Sequence, residues 1–121
     1  MLREVLARAG TELPGCRGAA LVGLDGVVME QWTAAGGRDA FSMEPAAAEV
    51  TSLMRAARSA LRTTQGGPHT ELALRTSGWA GVVRTVGESY FLIVLTAPDA
   101  LMGVARFVAE RAAPLLEKEL D

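Results

Sequence analysis

The chain has 121 residues, one cysteine, one histidine and a net charge of only −2. Each shortage excludes something. Cys16 cannot form an internal disulfide, and a secreted fold of this size usually carries several. It has no histidine partner and follows a turn glycine, so it reads as a small packing residue and not a nucleophile. His69 stands in a Gly-Pro-rich stretch without a cysteine or carboxylate cluster, so no triad can be built around it. No segment approaches ~18 uninterrupted apolar residues, and no membrane span is expected. Met1 leads into an amphipathic segment that contains Glu4 and has no apolar h-region, unlike a signal peptide, so a cytoplasmic protein is expected. The small net charge gives no whole-molecule attraction to nucleic acid or anionic lipid.

Recognisable cofactor and metal patterns are also missing. Gly18, Gly23 and Gly26 lack the spacing of a dinucleotide loop, no GK[ST] follows, and a strand comes next where a helix would be needed. Asp39, Glu44 and Glu49 do not form the short, oxygen-rich loop of a hard-cation site. With no acid–base pair to name, neither an enzyme nor a cofactor is expected.

What is present is a core. Half of the residues are hydrophobic, enough for one domain over 1–121. Tyr90 to Thr96 is apolar throughout and β-prone, the pattern of a strand covered on both faces. Leu92 and Val94 should face one helix layer, and Phe91, Ile93 and Leu95 the other. Before it, Thr70–Thr76 and Trp79–Val86 read as strands joined by short turns, a meander. Gly18–Leu24 and Val27–Trp32 flank Asp25-Gly26, which predicts a hairpin with a type I′ turn.

Three helices complete the order. Leu2, Val5, Leu6, Ala9 and Leu13 mark the first, ended by Pro14-Gly15. The second starts near Ser42 or Glu44 and stops at Gln65-Gly66-Gly67-Pro68. On it, Ala46, Val50, Leu53, Met54, Ala57 and Leu61 form the expected core face. Thr51, Arg55, Arg58 and Arg62 lie on one flank, and Ser52, Ala56, Ser59 and Thr63 on the other. Thr96 and Asp99 have capping-box spacing before the third helix, whose shared face is Leu101, Val104, Ala105, Val108, Ala112, Leu115 and Leu116. Phe107 falls off this face and is expected to pack on the first helix. The result is a three-layer α/β/α fold with an antiparallel five-stranded sheet in the order 2-1-5-4-3. The second helix covers one face, and the first and third cover the other.

Two surface features carry functional readings. Arg55, Arg58 and Arg62 concentrate basic charge on an acidic chain, either as a solvated flank near a helix C-terminus or as a contact for an acidic partner. The small-residue stripe is either plain solvent surface or a place where a second helix comes close.

The order αββαβββα, the segment Gly15–Gly26 entering the first hairpin, the Ala-rich middle helix and the strand Phe91–Leu95 together resemble the roadblock family of dynein-light-chain-like domains. The resemblance spans Leu2 to Leu120. It implies a homodimer joined through the middle helix and third strand, with Glu49, Ser52, Ala56, Ser59, Thr63, Glu71, Ala73 and Arg75 at the interface. It also implies a non-catalytic role. Bacterial members partner small Ras-like GTPases as activating or scaffold subunits, while eukaryotic members are dynein light chains or subunits of GTPase-regulating scaffolds. The Ala- and Arg-rich composition suits a bacterial member. Activators of this type insert no arginine finger, so Arg55, Arg58 and Arg62 are binding candidates. The alternatives are a small-molecule sensor of PAS or GAF type, which would need polar groups converging in a pocket, or a dynein-light-chain-like adaptor without a GTPase partner.

Overall fold

The computed structural model describes residues 1–34 and 42–120. The sequence reads as a loop from Thr33 to Phe41, with Gly36-Gly37; most of it, Asp39 included, lies outside them. The elements are α1 (Leu2–Glu12), β1 (Cys16–Gly23), β2 (Val28–Thr33), α2 (Met43–Leu61), β3 (Glu71–Arg75), β4 (Ala80–Val86), β5 (Tyr90–Thr96) and α3 (Met102–Glu119). All strand pairs are antiparallel, in the order β2-β1-β5-β4-β3. The expected architecture and strand order are observed.

The all-apolar run of β5 explains the layering. Its neighbours are β1 and β4, so Ile93 sits between Ala20 and Val83. Leu92 and Val94 join the cluster built with α1 and α3. Phe91, Ile93 and Leu95 join the cluster built with Met43, Ala47, Val50 and Met54 of α2. Side chains that alternate along a strand leave no solvent face here, and each large one contributes about 1.5–3 kcal/mol on burial.

Gly10 sits in the last turns of α1, where glycine normally weakens a helix. The helix runs through it because the ring of Trp32 occupies the place of a side chain: a Cβ on Gly10 would stand 2.1 Å from that ring. The glycine is a close-approach site between α1 and β2.

Five expectations are corrected. The first hairpin does not close on a two-residue type I′ turn. The amide of Gly26 donates to the carbonyl of Gly23 (2.9 Å), and the amide of Gly23 donates to the carbonyl of Val27 (3.0 Å). Gly26 alone has positive φ, at 86°. This is a three-residue loop in which a turn is followed by a left-handed glycine, with Asp25 Oδ1 accepting from the Val27 amide at 3.1 Å.

Thr96 and Asp99 form no capping box. Thr96 is the last residue of β5, its hydroxyl buried against the carbonyls of Ala80 (3.2 Å) and Ala97 (2.9 Å). Ala97–Ala100 makes a tight turn around Pro98, and α3 begins only at Met102. The buried face of α3, set by its packing on the sheet and α1, is Ala105, Val108, Ala109, Ala112, Ala113 and Leu116, leaving Leu101, Val104 and Leu115 exposed.

On α2 the core face is turned toward Ala47 and Thr51, which are buried, while Leu53 and Leu61 are exposed. Thr51, expected on the arginine flank, is thus a core residue, and its hydroxyl has no hydrogen-bond partner among the described residues. Phe107 does not pack on α1. It is 56% exposed, and its ring is covered by the guanidinium of Arg111 from its own helix, 5.5 Å from the ring centroid.

Two substitutions probe this packing. Gly10→Ala, which would stabilise an ordinary helix interior, should here destabilise the protein by about 1–3 kcal/mol, the usual cost of overpacking. Urea melts read the sign directly, and a gain in stability would show that Trp32 does not fill that space. Val94→Asp places a carboxylate where Val94 is fully buried. The cost of several kcal/mol against a total of about 5–15 kcal/mol should abolish the cooperative melt seen by circular dichroism.

Candidate functional site

The outward side of α2 brings both sequence-level candidates into one place. Arg55, Arg58 and Arg62 and the small residues Ser52, Ala56 and Ser59 line a single shallow, open groove of about 810 Å3, together with Leu24 and Asp25 of the first hairpin. The sequence treated these as two separate flanks. They meet because α2 buries a narrow face and leaves the rest of its circumference open. Glu49 and Thr63 are exposed at the two ends of the small stripe. Asp25 enters this site through the hairpin loop, a proximity that α2 periodicity alone could not reveal.

The three arginines are not equivalent. Arg58 is half-buried, its guanidinium 5.8 Å from the centroid of the Phe91 ring, so its stem and charge are held against the core. Such a contact fixes the side chain while leaving its N–H edges free. Arg55 and Arg62 are exposed. None of the three joins an ion pair among the described residues. Arg58 and Arg62 also line a second hollow of about 330 Å3 with Gln65, Gly66, Gly67 and Pro68. There the helix ends in a short 3-10 turn, and Gln65 takes a left-handed conformation at φ 57°.

The second candidate surface is β3, an edge of the sheet. Glu71, Ala73 and Arg75 lie on its α3 side, in register with Arg84, Val82 and Ala80. Glu71 is turned inward. Its carboxylate accepts from Arg84 (3.0 Å) and from Arg106 of α3 (2.8 Å). Arg75 donates to the carbonyls of Pro98 and Ala100, the latter at 2.7 Å. These two side chains therefore brace the edge strand against β4 and α3, while Ala73 stays exposed. On the opposite side of β3, Leu72 and Leu74 remain half-buried, and Leu72 packs with Trp79 on the α2-side core. The alternation of the strand had already placed these two leucines on one face. What it could not tell is that α2 packs on β1, β2 and β5 and leaves the β3 side of the sheet thinly covered.

The residues weighed for chemistry keep structural roles. Cys16 is buried, and burial pushes its thiol from the ordinary 9.0 up to about 11, against a smaller lowering effect of a backbone hydrogen bond with Gly18. The thiolate that a nucleophile needs is thus scarcer at neutral pH than for a free cysteine. His69 lies exposed in the loop before β3. Among the described residues no three His, Cys, Asp or Glu side chains are grouped to hold a metal, and no helix is long and apolar enough to cross a membrane. The space between α2 and the sheet is filled by Ala20, Val22, Val50, Met54, Phe91 and Ile93.

The Roadblock/LC7 domain family model matches residues 2–96. No curated protein matches the chain. Among solved structures it is similar to the gliding protein MglB from Thermus thermophilus, with a TM-score of 0.85 at 20% identity, covering 97% of this chain and 86% of that one. It is also similar to a Roadblock/LC7 domain from Streptomyces avermitilis, at 0.82 and 21%, covering 98% and 96%. MglC from Myxococcus xanthus aligns at 0.71 and 23%, covering 98% and 99%. The family match over most of the length and the agreement of element order and sheet topology place the chain in one group: it belongs to the Roadblock/LC7 domain family.

Proposed function

We propose that the chain is a homodimeric, non-catalytic regulatory or scaffold module that binds a small Ras-like GTPase. The observation that carries this reading is the juxtaposition on α2 of an outward small-residue stripe with three arginines that join no ion pair among the described residues. Small side chains allow two helix axes to approach within about 8–10 Å. Glu49, Ser52, Ala56, Ser59 and Thr63 are the proposed α2 contacts. The edge of β3, with Glu71, Ala73 and Arg75, is the proposed strand contact, where a second copy would pair backbone groups that an edge otherwise leaves open. Arg55, Arg58 and Arg62 would then recur on both halves of one broad surface, available to an acidic partner. The relatives named MglB and MglC support a role beside a GTPase through family membership. The partner would supply nucleotide, magnesium and attacking water. This chain would act by binding one nucleotide state more tightly than the other, since equal affinity shifts no equilibrium.

Two measurements test the reading. Ala56→Glu should place like charges across the two-fold axis and halve the mass of the assembly seen by light scattering. A wild-type monomer at high micromolar concentration would refute self-association through this face. For the partner contact, Arg55→Glu and Arg62→Glu are the informative pair, because Arg58 also packs on Phe91 and its loss would disturb the core. Binding is measured to small GTPases of the same genome, loaded with GDP or GTP, after the assembly is shown intact. The double variant should bind at least about tenfold more weakly at low salt, within the several kcal/mol that like-charge juxtaposition costs. The gap should narrow at high salt. Equal affinity and equal salt dependence would remove this face from the mechanism.

A further inference from the structure

Where α2 ends, the second hollow that Arg58 and Arg62 line has a chemistry of its own. It measures about 330 Å3, and Gln65, Gly67 and Thr70 are among its other lining residues. No carboxylate lines it. Glu71, next in the chain after Thr70, is turned to the α3 side, where Arg84 and Arg106 already hold it. Two guanidinium groups therefore share one concavity without a counter-charge among the described residues.

The end of a helix ordinarily repels an anion, because its last carbonyls are unpaired. Here they are occupied. The Ala60 carbonyl accepts from the Thr63 hydroxyl at 3.0 Å. The Leu61 carbonyl accepts from the Thr64 hydroxyl at 2.8 Å and from the Gly66 amide at 3.2 Å. The Arg62 carbonyl accepts from the Gln65 amide at 3.3 Å. The left-handed backbone of Gln65 turns the chain back so that these bonds can form, as at many helix ends. With these acceptors consumed, donors are left. They are the two arginine forks, the Gln65 carboxamide and the Gly67 amide, which donates to no described residue.

Arg58 is the fixed point. Its guanidinium is held over the Phe91 ring before any ligand arrives, so less side-chain freedom is lost on binding. Two planar forks suit a phosphate better than a carboxylate, because a phosphate group offers three terminal oxygens and close to two charges. We propose that this hollow binds a phosphate group, gripped between Arg58 and Arg62 at the end of α2. Its volume falls at the lower end of the range of about 300–1,000 Å3 for small-molecule pockets, which suits the body of a small phosphate monoester. Both arginines also line the α2 groove. A bound phosphate neutralises them there and weakens the contact with an acidic partner, a consequence that rests on the GTPase reading above.

The test is a titration of the isotope-labelled full chain, followed by NMR through its glycine amides and arginine side-chain N–H signals. Inorganic phosphate and glycerol phosphate are the ligands, and chloride at matched ionic strength is the reference. Both phosphates should move the Gly66, Gly67 and Arg58 signals to saturation, and chloride should not. Tighter binding of glycerol phosphate identifies a monoester as the ligand; equal binding identifies the free anion. Arg62→Gln, at an exposed position, should weaken binding at least about tenfold, the order expected for hydrogen bonds to a charged group, and melt as the wild type does. Arg62→Lys keeps the charge without the fork and should recover only part of the loss. Arg3→Gln removes the same charge from exposed surface on α1 and should change nothing. Shifts that chloride reproduces, that rise without saturating, that survive Arg62→Gln or that Arg62→Lys restores in full overturn the proposal. For the coupling, saturating phosphate should weaken binding of the GTPase more than chloride does, and equal weakening overturns it. Failure of the GTPase reading looks different: phosphate still saturates the hollow, while no small GTPase of the same genome binds the chain in either salt.

Discussion

β5 is paired on both edges and covered on both faces, and the other elements take their places from it. Its backbone groups go to β1 and β4. Its odd- and even-numbered side chains go to separate clusters. Because side chains alternate strictly, slipping its register by one residue would exchange the two clusters. Leu92 and Val94 must meet the small-residue face of α3, with Ala105, Ala109, Ala112 and Ala113, while Phe91 must meet α2. The alanines of α3 let it lie close to Leu92 and Val94, and Met43 and Met54 of α2 fill the side where Ala20 leaves room.

The functional surfaces follow from what this core does not use. α2 buries Met43, Ala47, Val50, Thr51 and Met54, a face narrower than its hydrophobic pattern suggests. Thr51 takes a core position, its hydroxyl without a hydrogen-bond partner among the described residues. The rotation that buries Thr51 leaves Leu53 outside and sets the small stripe and the arginines around a common groove. Glu71 and Arg75 likewise spend their polar atoms inside the chain, holding β3, β4 and α3 together. They stiffen the edge that the proposed dimer would extend.

Legibility in the sequence divides along the same line. The strands were readable because each signal is local: an unbroken apolar run for β5, alternation for β3, Asp-Gly between two β-prone runs. The errors came where a tertiary partner decides. Asp-Gly announced the turn, but its type depended on Gly23 pairing with Val27 rather than Leu24, so only Gly26 needs positive φ. Thr96 and Asp99 have the spacing of a cap, yet the pull of Ala80 across the sheet keeps Thr96 in the strand. Gly10 weakens an isolated α1, and its reason, Trp32, stands 22 positions later. For the site, periodicity found every residue of the α2 groove except Leu24 and Asp25, which belong to a distant loop. It did not separate Arg58, held on Phe91, from its free neighbours. Phe107 was expected to seek α1; α1 ends at Glu12, too short to reach along the first half of α3.

Coverage of the sheet gives a physical reason for expecting assembly. Five strands at about 4.8 Å spacing make a sheet roughly 19 Å across, and helices pack about 8–10 Å apart, so each face accommodates two helices side by side. One face has two, α1 on β1 and β2 and α3 chiefly on β4. The other has α2 alone, over β1, β2 and β5. Among the described residues no second helix stands beside it over β3, and Leu72, Leu74 and Trp79 are left half-buried there. The deficit adjoins both the unpaired edge of β3 and the open side of α2. A contact that brings another helix to this place would complete the layer and cover the edge together. The proposed self-association through α2 and β3 would therefore answer a packing vacancy in the fold itself, independently of any partner for the arginine groove.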